Sequence, residues 1–473
     1  MQRLRESLTL VLIGLLPFHA LLVTVGTKLL LGPGHAPMPI LAGWKEGLLA
    51  VILLIAVVEF LRKPSFKIDL VDGLIIALLV IALLLPKTNF LFGFKYDFVP
   101  LIAFLILRRV EWSEWFKMQV GRVLLFIGAL VAAYGILTFI VSMNFFTTLG
   151  YSDAHSLYLP DGPLAAFQQI GGSAIRRVQS TFSGPNQFGI WLLIPLGVWL
   201  GRWAEKIGSP VRGDGGVSAD LRRVYISLLV CGLLMIALFL TFSRSAWIAA
   251  FVMISFVLWK MYSRKFTPVL FAGAGAVILT VLLLAWISPA IFVRSISLAG
   301  HIERPLQAIQ MIREHPFGLG LGSAGPAASR THDACVFLEP GDDSSWAKNS
   351  PELCVFVGDT QVQPAQPCNC PLLPENWYLQ IGVELGVLGL VLYLGLVGIV
   401  LSRLVKSEKL KMKNDPEIFH FSPESTEGFI FLFFLGISIA GLFLHSWEDA
   451  AVAYTGWVLL SIVAPTRMLR EPY

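Results

Sequence analysis

Long apolar stretches recur along the whole chain, separated by short polar links and by two much longer ones. A helix needs about twenty apolar residues to cross the hydrocarbon core of a bilayer, and windows of that length predict about twelve spans. The predicted spans lie at roughly 8–28, 43–61, 69–86, 92–107, 121–142, 186–203, 223–242, 245–262, 266–288, 376–402, 428–445 and 449–465. We therefore expect an all-α integral membrane protein, with residues 1–473 forming a single polytopic membrane domain.

The composition supports this class. Hydrophobic residues make up 56% of the chain and charged residues only 14%, whereas about a quarter of a soluble domain is charged. The first apolar stretch is long enough to span and lacks a cleavage site of small residues, so we expect no cleaved signal peptide.

Lysine and arginine fall mainly on alternate short links, for example at Arg5, Arg108, Arg109 and Arg403. Under the positive-inside rule, these links and both termini face the cytoplasm, and an even number of spans agrees. The net charge of +5 therefore reflects membrane topology, and we expect no nucleic-acid partner.

Two segments on the opposite side, at about 145–185 and 289–375, are longer than ordinary connections. Loops of that size on one face commonly cover or build a site. We expect residues 289–375 to form a large periplasmic loop between spans 9 and 10.

Four of the five cysteines lie in that second loop, at Cys335, Cys354, Cys368 and Cys370. An even set in an oxidising compartment favours disulfides. Cys368 and Cys370 are too close to bridge comfortably, so each is expected to pair outward. A zinc site is the alternative, although its usual Cys-x-x-Cys spacing is missing.

The first loop ends in Arg176 and Arg177, shortly before the turn Ser183-Gly-Pro-Asn186 that opens the sixth span, with Pro185 or Asn186 near the helix N-cap. Backbone N–H groups at a helix N-terminus and guanidinium groups both favour phosphate. The alternative is that these arginines anchor the loop or extend to the lipid surface.

Arg244 lies in the tight link between the seventh and eighth spans, at the extracytoplasmic boundary. An ionisable residue in such a place is a functional candidate, with binding of lipid headgroups as the structural alternative. Lys95 with Asp97, and Lys45 with Glu46, lie similarly at outer ends of spans, where each pair is equally compatible with mutual neutralisation.

The second loop contains apolar residues at helical spacing, which predict an amphipathic helix on the outer surface: Ile302, Leu306, Ile309 and Ile312. Arg304 precedes Pro305, a favoured first helical residue, so we expect Arg304 at a helix N-terminus. The following Gly-Leu-Gly-Leu-Gly string follows no strand, which favours a backbone turn over a phosphate-binding loop.

Glu375 and Asn376 precede the tenth span, where either residue would cap the helix. Glu384 lies two to three turns further on, inside the apolar stretch. A carboxylate there is costly unless it faces a partner or a polar cavity.

Four motifs together resemble the bacterial O-antigen ligase and O-antigen polymerase superfamily. They are Arg177–Gly189, Thr241–Arg244, Arg304–Gly322 and Asn376–Gly389, and they cover roughly the last two thirds of the chain in the family's order. Each is weak alone, and the set is fairly specific.

The resemblance implies a metal-independent, cofactor-free glycosyltransferase at the periplasmic face of the bacterial inner membrane, acting in lipopolysaccharide and cell-envelope synthesis. The donor would be an oligosaccharide on undecaprenyl diphosphate, and the acceptor a hydroxyl of a lipid A-core sugar or of a growing polysaccharide. The implied diphosphate ligands are Arg177, Arg244 and Arg304, with Arg176 and Lys95 as secondary candidates. The implied substrate contacts are Asn186, Asn376, Tyr378 and Glu384.

One position departs from the family pattern. Family members often carry a catalytic histidine directly before the asparagine, where this chain has Glu375. We therefore expect Glu375 to be the general base, with helix capping as the alternative. Its pKa should then be raised by the apolar surroundings of Pro374 and Trp377, although neighbouring arginines would oppose that change.

A transporter or flippase for a lipid-linked or small anionic substrate is the alternative from another class. Such proteins tend to have two related halves and polar or broken helices at the membrane midplane. This chain shows no convincing repeat, and its polar residues gather at one face. A protein O-oligosaccharyltransferase within the same superfamily also stays open.

Overall fold

The computed structural model describes residues 1–32, 35, 37–62, 64, 68–86, 89–152, 165–170, 175–208, 217–262, 295–338, 344–349, 351, 353–358, 360–411 and 426–463. The predicted ninth span at 266–288, the middle of the first long segment and the C-terminal residues lie outside this part of the chain.

The described residues are mainly helical, and helices occupy every predicted span among them. They are α1 Gln2–Leu15, α2 His19–Leu31, α3 Pro39–Arg62, α4 Leu70–Leu84, α5 Phe90–Gly93, α6 Val99–Leu107, α7 Glu114–Ile140, α8 Met143–Thr148, α9 Pro185–Gly208, α10 Val217–Leu240, α11 Arg244–Tyr262, α12 Ser295–Glu314, α13 Gly325–Ala328, α14 Trp377–Lys411, α15 Thr426–Ala440 and α16 Ala450–Val463. A 3₁₀ turn, Leu16–Phe18, joins α1 to α2, and a π-helical turn, Phe94–Phe98, joins α5 to α6.

Length and composition support membrane insertion directly for part of this set. Among the described residues, five helical segments are long and apolar enough to cross a membrane, namely Gln2–Leu31, Pro39–Arg62, Phe90–Leu107, Glu114–Ile140 and Trp377–Val405. Shorter apolar helices include α4, α15 and α16. The figure of about twelve spans stays a prediction.

The centre of the bundle is formed by α9, α15 and α16, whose residues are buried on nearly every side. Helix α15 packs along α9 and also contacts α11 and α14, while α16 packs against α6. A helix that is apolar all round belongs in the interior of a bundle, where it has neighbours on every face.

The amphipathic helix of the second loop, α12, begins at Ser295, earlier than predicted. Pro305 lies inside this helix, which continues on both sides of it although proline has no backbone N–H group to donate. Arg304 is therefore not at a helix N-terminus. The predicted apolar stripe is only partly buried. Ile312 is buried, whereas 56% of Ile302 and 58% of Leu306 are exposed.

The rest of the loop contains a small sheet that the sequence did not predict. Strand β1, Cys335–Leu338, pairs in parallel with β2, Cys354–Val357, which pairs antiparallel with β3, Thr360–Gln363. Disulfides join Cys335 to Cys370 and Cys354 to Cys368. The prediction of disulfides, with Cys368 and Cys370 each pairing outward, is confirmed. We call residues 335–370 the disulfide lobe.

A second unpredicted feature is a break in α14 at Gly386, where φ is 73° and ψ is −174°. The glycine-rich segment 318–322 fills the break as backbone, as predicted for a turn. The N–H groups of Leu319 and Gly320 donate to the carbonyls of Val383 and Glu384, both at 2.9 Å. Gly320 has a positive φ, and a Cβ there would lie 2.3 Å from the Pro86 carbonyl oxygen, so only glycine fits.

The two ends of the bundle differ in their charged groups. We call the end that carries the starts of α1, α4 and α7 the basic end, and the end that carries the starts of α11, α14 and α16 the loop end. At the basic end, Arg108 is almost fully buried and contacts Asp69 at 2.7 Å and Asp72 at 2.9 Å. Buried Arg5 pairs there with Glu59 at 2.9 Å.

Candidate functional site

The candidate site is centred on Glu375, the residue two positions before α14. Its φ of 49° lies in the left-handed region, which is uncommon for a residue with a side chain. Asn376 caps the helix, because its Oδ1 accepts a hydrogen bond from the N–H of Leu379 at 3.0 Å. Helix capping by Glu375 is therefore not what the structure shows, and its side chain turns towards the second loop.

Two residues of α12 bind the Glu375 carboxylate, one on each oxygen. Arg304 Nη1 forms an ion pair with Oε1, and His301 Nδ1 lies 2.6 Å from Oε2. The two partners are one helical turn apart and so share a face of α12. The three side chains are 20–34% exposed, so the cluster lies at a surface that solvent reaches.

The backbone of Glu375 is held by a second set of contacts. Its N–H group donates to His445 Nε2 at 3.3 Å, and His445 Nδ1 lies 2.5 Å from Gln380 Oε1. Gln380 Nε2 in turn donates to Glu448 Oε1 at 2.6 Å. This chain of contacts stabilises the left-handed backbone at Glu375, which would otherwise be strained.

The titration of His445 fits this role. Burial lowers the pKa of His445 to about 4, and the charge of Arg304 adds to that effect while Glu375 opposes it. The ring is therefore neutral near pH 7, with one nitrogen that accepts and one that donates. Acceptance from the Glu375 N–H group at Nε2 places the ring proton on Nδ1, towards Gln380.

The pKa expectation for Glu375 is wrong. Burial is the largest single influence and raises the pKa of Glu375, but the hydrogen bond from His301 and the charge of Arg304 are the main opposing influences, and the pKa ends below its ordinary value. The carboxylate is thus ionised at neutral pH, because its neighbours favour the charged form more than burial penalises it.

Arg244 approaches the same cluster from a third element. It is the first residue of α11, it is half-buried, and the negative charge of Glu375 stabilises its guanidinium group. The cluster thus collects Arg244 from α11, Arg304 from α12 and Glu375 from the start of α14. Two arginines facing one carboxylate make this a suitable place for an anionic ligand.

Arg177 and Asn186 support the link that carries Arg244. Arg177 Nε donates to the Thr241 carbonyl at 2.9 Å, and its Nη2 donates to Asn186 Oδ1 at 2.8 Å. Phe242, inside the link, has a φ of 50°. These bonds tie the end of the first loop to the start of α9 and to the turn before α11.

The other predicted residues contact groups elsewhere at the loop end. Arg176 donates to the carbonyls of Thr138 and Val141 at the end of α7. Lys95 forms an ion pair with Glu46 at 2.8 Å.

Two further predicted residues lie within α14. The Tyr378 hydroxyl donates to the Ser438 carbonyl at 2.8 Å and joins α14 to α15. Glu384 is fully buried, and its Oε1 accepts from the Gly322 N–H group at 2.9 Å. Its carboxyl also interacts with that of Asp97, so the partner expected for a buried carboxylate is present.

Sequence reasoning missed His301 and His445. His301 precedes Arg304 by one helical turn, and it would have been found if α12 had been extended back past Pro305. His445 is separated from Glu375 by 70 residues, and no pattern in the chain links the two.

One group of potential metal ligands occurs among the described residues, formed by Asp333, Cys354 and Cys368. The two sulfurs of that group are bonded to each other in a disulfide. They are therefore not thiolates, which are the form of cysteine that binds zinc.

Comparison with known families supports the sequence resemblance. The family model described as O-antigen ligase matches residues 229–345. This stretch begins within α10, contains Arg244, His301 and Arg304, and ends in the disulfide lobe. The match confirms the resemblance to the O-antigen ligase and polymerase superfamily. A comparison with curated proteins finds no match.

Proposed function

We propose that this protein transfers an oligosaccharide from undecaprenyl diphosphate to an acceptor hydroxyl at the periplasmic face of the bacterial inner membrane. The observation that carries the proposal is the convergence of Arg244 and Arg304 on Glu375 at the solvent-accessible loop end. Guanidinium groups bind the oxygens of a diphosphate in pairs, and lysine cannot reproduce that geometry. The O-antigen ligase match, which includes both arginines, supports the same chemistry.

In this reaction the acceptor hydroxyl attacks the anomeric carbon of the donor sugar while the bond to the lipid diphosphate breaks. Negative charge grows on the departing diphosphate, and Arg244 and Arg304 stabilise it. Their charges do the work for which other transferases use a metal ion, so we propose a metal-independent and cofactor-free reaction. The proton of the hydroxyl goes to a base centred on Glu375.

The remaining predicted residues take supporting roles in this proposal. Arg177 and Asn186 hold the link that carries Arg244. Asn376 caps α14 and places Glu375 at the mouth of the site. Direct contacts of Arg177, Arg176 and Lys95 with diphosphate, and of Asn186, Tyr378 and Glu384 with sugar, stay predictions.

The proposed topology places both termini and the 204–222 link in the cytoplasm and residues 289–375 in the periplasm. The two disulfides of the second loop support this side, because disulfides persist in oxidising compartments. Cysteine labelling in intact cells tests it. Labels that cannot cross the inner membrane should react with cysteines introduced at exposed positions of α12, such as Gln310, and leave Arg202→Cys unlabelled.

A transporter is the second candidate, favoured by the break in α14 at Gly386 beside the buried carboxyls of Glu384 and Asp97. Broken helices with polar residues are common at substrate sites of transporters. In this chain, however, backbone of segment 318–322 already fills the break.

The test uses purified protein, a lipid-linked oligosaccharide and three kinds of acceptor: a lipid A-core glycolipid, a second lipid-linked repeat and an acceptor peptide. We expect a glycosylated product with one of them, identified by mass, and at least a hundredfold less product with Arg304→Ala. Absence of product with every acceptor, together with movement of the lipid-linked substrate across vesicles containing the protein, would favour the transporter.

A further inference from the structure

The contacts of the Glu375 carboxylate oppose its direct use as a proton acceptor. Both oxygens of Glu375 are already engaged, with Arg304 on Oε1 and His301 on Oε2. To receive a proton directly, the carboxylate would have to release one of these partners. Its pKa is lowered by the hydrogen bond from His301 and the charge of Arg304, despite burial, and a weakly basic carboxylate is a poor acceptor at neutral pH.

His301 lies beside Glu375 in the orientation that a base needs. An ionised carboxylate can only accept hydrogen bonds, so the 2.6 Å contact places the proton of the neutral imidazole on Nδ1. The lone pair is then on Nε2. Among the described residues Nε2 has no hydrogen-bond partner, and the His301 side chain is 28% exposed. A carboxylate at Nδ1 fixes the tautomer and stabilises the imidazolium that forms when Nε2 takes a proton.

The geometry points to His301 as the general base of the transfer, with Glu375 as the positioning residue that orients and charges it. This inference rests on the proposed function and specifies which group accepts the proton. The function that the family assigns to one residue is divided here between two, one on α12 and one at the start of α14.

In the proposed step, one bond forms and one bond breaks at the anomeric carbon. The acceptor oxygen forms a bond to the anomeric carbon as its proton passes to Nε2 of His301, and the electron pair of the breaking bond goes to the diphosphate oxygen. Arg244 and Arg304 stabilise that oxygen. The imidazolium beside the Glu375 carboxylate then gives its proton to solvent or to the released diphosphate, which restores the neutral ring.

The charged and titratable groups around His301 and its contact partner Glu375 come from four elements. Arg304 lies on α12 itself, Glu375 precedes α14, Arg244 starts α11, and His445 lies between α15 and α16. Of these groups, only the carboxylate of Glu375 is in direct contact with the ring.

The first experiment replaces His301 by Asn. The amide N–H₂ of Asn can still donate to Glu375 at the position of Nδ1, but nothing occupies the position of Nε2. We expect the transfer rate to fall by about a hundredfold or more, because general-base catalysis contributes about 10²–10⁴. His315→Asn, at the exposed end of the same helix, is the matched control and should transfer at the wild-type rate. Transfer by His301→Asn within about threefold of wild type would overturn the inference.

The second experiment measures the pH dependence of transfer in wild type and in Glu375→Gln. The Gln side chain still accepts from Nδ1 but no longer stabilises the imidazolium, so the ring becomes a weaker base. We expect reduced but measurable transfer, with the acidic decline moved to lower pH than in wild type. A structural role of His301 would not move this profile.

The outcomes separate the two proposals. If Glu375→Gln abolishes transfer at every pH while His301→Asn stays active, Glu375 is itself the base and this inference is wrong, although the proposed function stands. If wild-type protein transfers to no acceptor, the proposed function fails. Thermal unfolding of each variant identifies misfolding, and in that case His301→Ala with added imidazole decides, because only a base role predicts rescue.

Discussion

The two ends of the helical bundle contain arginines in opposite situations. At the basic end, four arginines contact or interact with four carboxylates within the described residues: Arg5, Arg108, Arg109 and Arg403 with Glu6, Glu59, Asp69 and Asp72. At the loop end, Arg244 and Arg304 face the single carboxylate of Glu375. In the first set each arginine is matched by a carboxylate, whereas around Glu375 two guanidinium groups face one carboxylate.

The number of basic residues on each side of the membrane does not show which of their charges are paired within the protein. The positive-inside rule counts Arg5 and Arg108 as topological charges, but both are buried and paired. At the loop end, Arg244 and Arg304 are partly exposed and outnumber the one carboxylate that they face. We therefore expect an anionic ligand to bind where arginines locally outnumber the carboxylates that they face, and the number of arginines on each side does not measure this.

The largest effect is expected from Arg108→Met at the basic end. Removal of Arg108 leaves Asp69 with Arg403 and Asp72 with Arg109 as remaining partners, and the loss of one partner of a buried ion pair costs about 3–5 kcal/mol. Thermal unfolding in detergent should show a marked loss of stability. Lys117→Gln is the control, because Lys117 pairs with the exposed Glu114, and such a pair contributes about 0–1 kcal/mol. Equal effects of the two variants would contradict the assignment of Arg108 as a buried structural charge.

The next largest effect is expected from Arg244→Lys at the loop end, where we expect the transfer rate to change more than the thermal stability. Lysine keeps the charge but loses the two-pronged geometry, so transfer should fall about a hundredfold while thermal stability changes little. Initial rates of product formation and unfolding temperatures, measured on the same preparation, separate the two. Near-normal transfer would show that Arg244 does not bind the diphosphate through paired contacts.

The smallest effect concerns pH. Because the folded pKa of His445 is about 4, below its ordinary value of 6.5, the unfolded chain binds more protons between these values. The stability that neutral His445 contributes is therefore present above about pH 6.5 and is lost as the pH falls towards 4. His445→Gln should show a shallower decline of unfolding temperature across this window.

The basic end should respond at lower pH. Burial opposes ionisation of Asp69, but hydrogen bonds from Arg108 and Arg403 outweigh it and hold the pKa of Asp69 well below its ordinary value. The contribution of Asp69 to stability is present above the ordinary pKa of an aspartate, about 3.9, and is lost only in stronger acid.

For the His445 prediction, an identical decline of unfolding temperature in wild type and His445→Gln between pH 6.5 and 4 would contradict the role of His445.

The sequence predicted the helices well, because apolar length is a strong local signal. It predicted the start of α9 at the turn Ser183-Gly-Pro-Asn186, where the helix begins at Pro185, and a tight link around Arg244, which is the first residue of α11. It misplaced the start of α12, because Pro305 is usually found in the first turn of a helix and here lies within one. Strands of four residues in the disulfide lobe are too short for periodicity to reveal.

The site was predicted in part. Arg304 and Glu375 were chosen from separate motifs, and the structure brings them into contact across 71 residues. The contacts of Glu375 with His301 and His445, and the lowered pKa that follows, depend on tertiary packing, which no local pattern encodes. The ion pair between Arg108 and Asp69 was missed for the same reason.

The break in α14 limits which segments can be exchanged between this protein and its relatives. Segment 316–322 is joined to α14 across the break: Leu319 and Gly320 donate to the carbonyls of Val383 and Glu384, Val387 donates to the Pro316 carbonyl, and Gly322 donates to the Glu384 side chain. The large loop and α14 therefore form one structural unit. A loop transferred from a relative must be accompanied by the helix of that relative that corresponds to α14. Exchange of sequence is tolerated best within the disulfide lobe, which has a small core of its own and closes on itself through two covalent links.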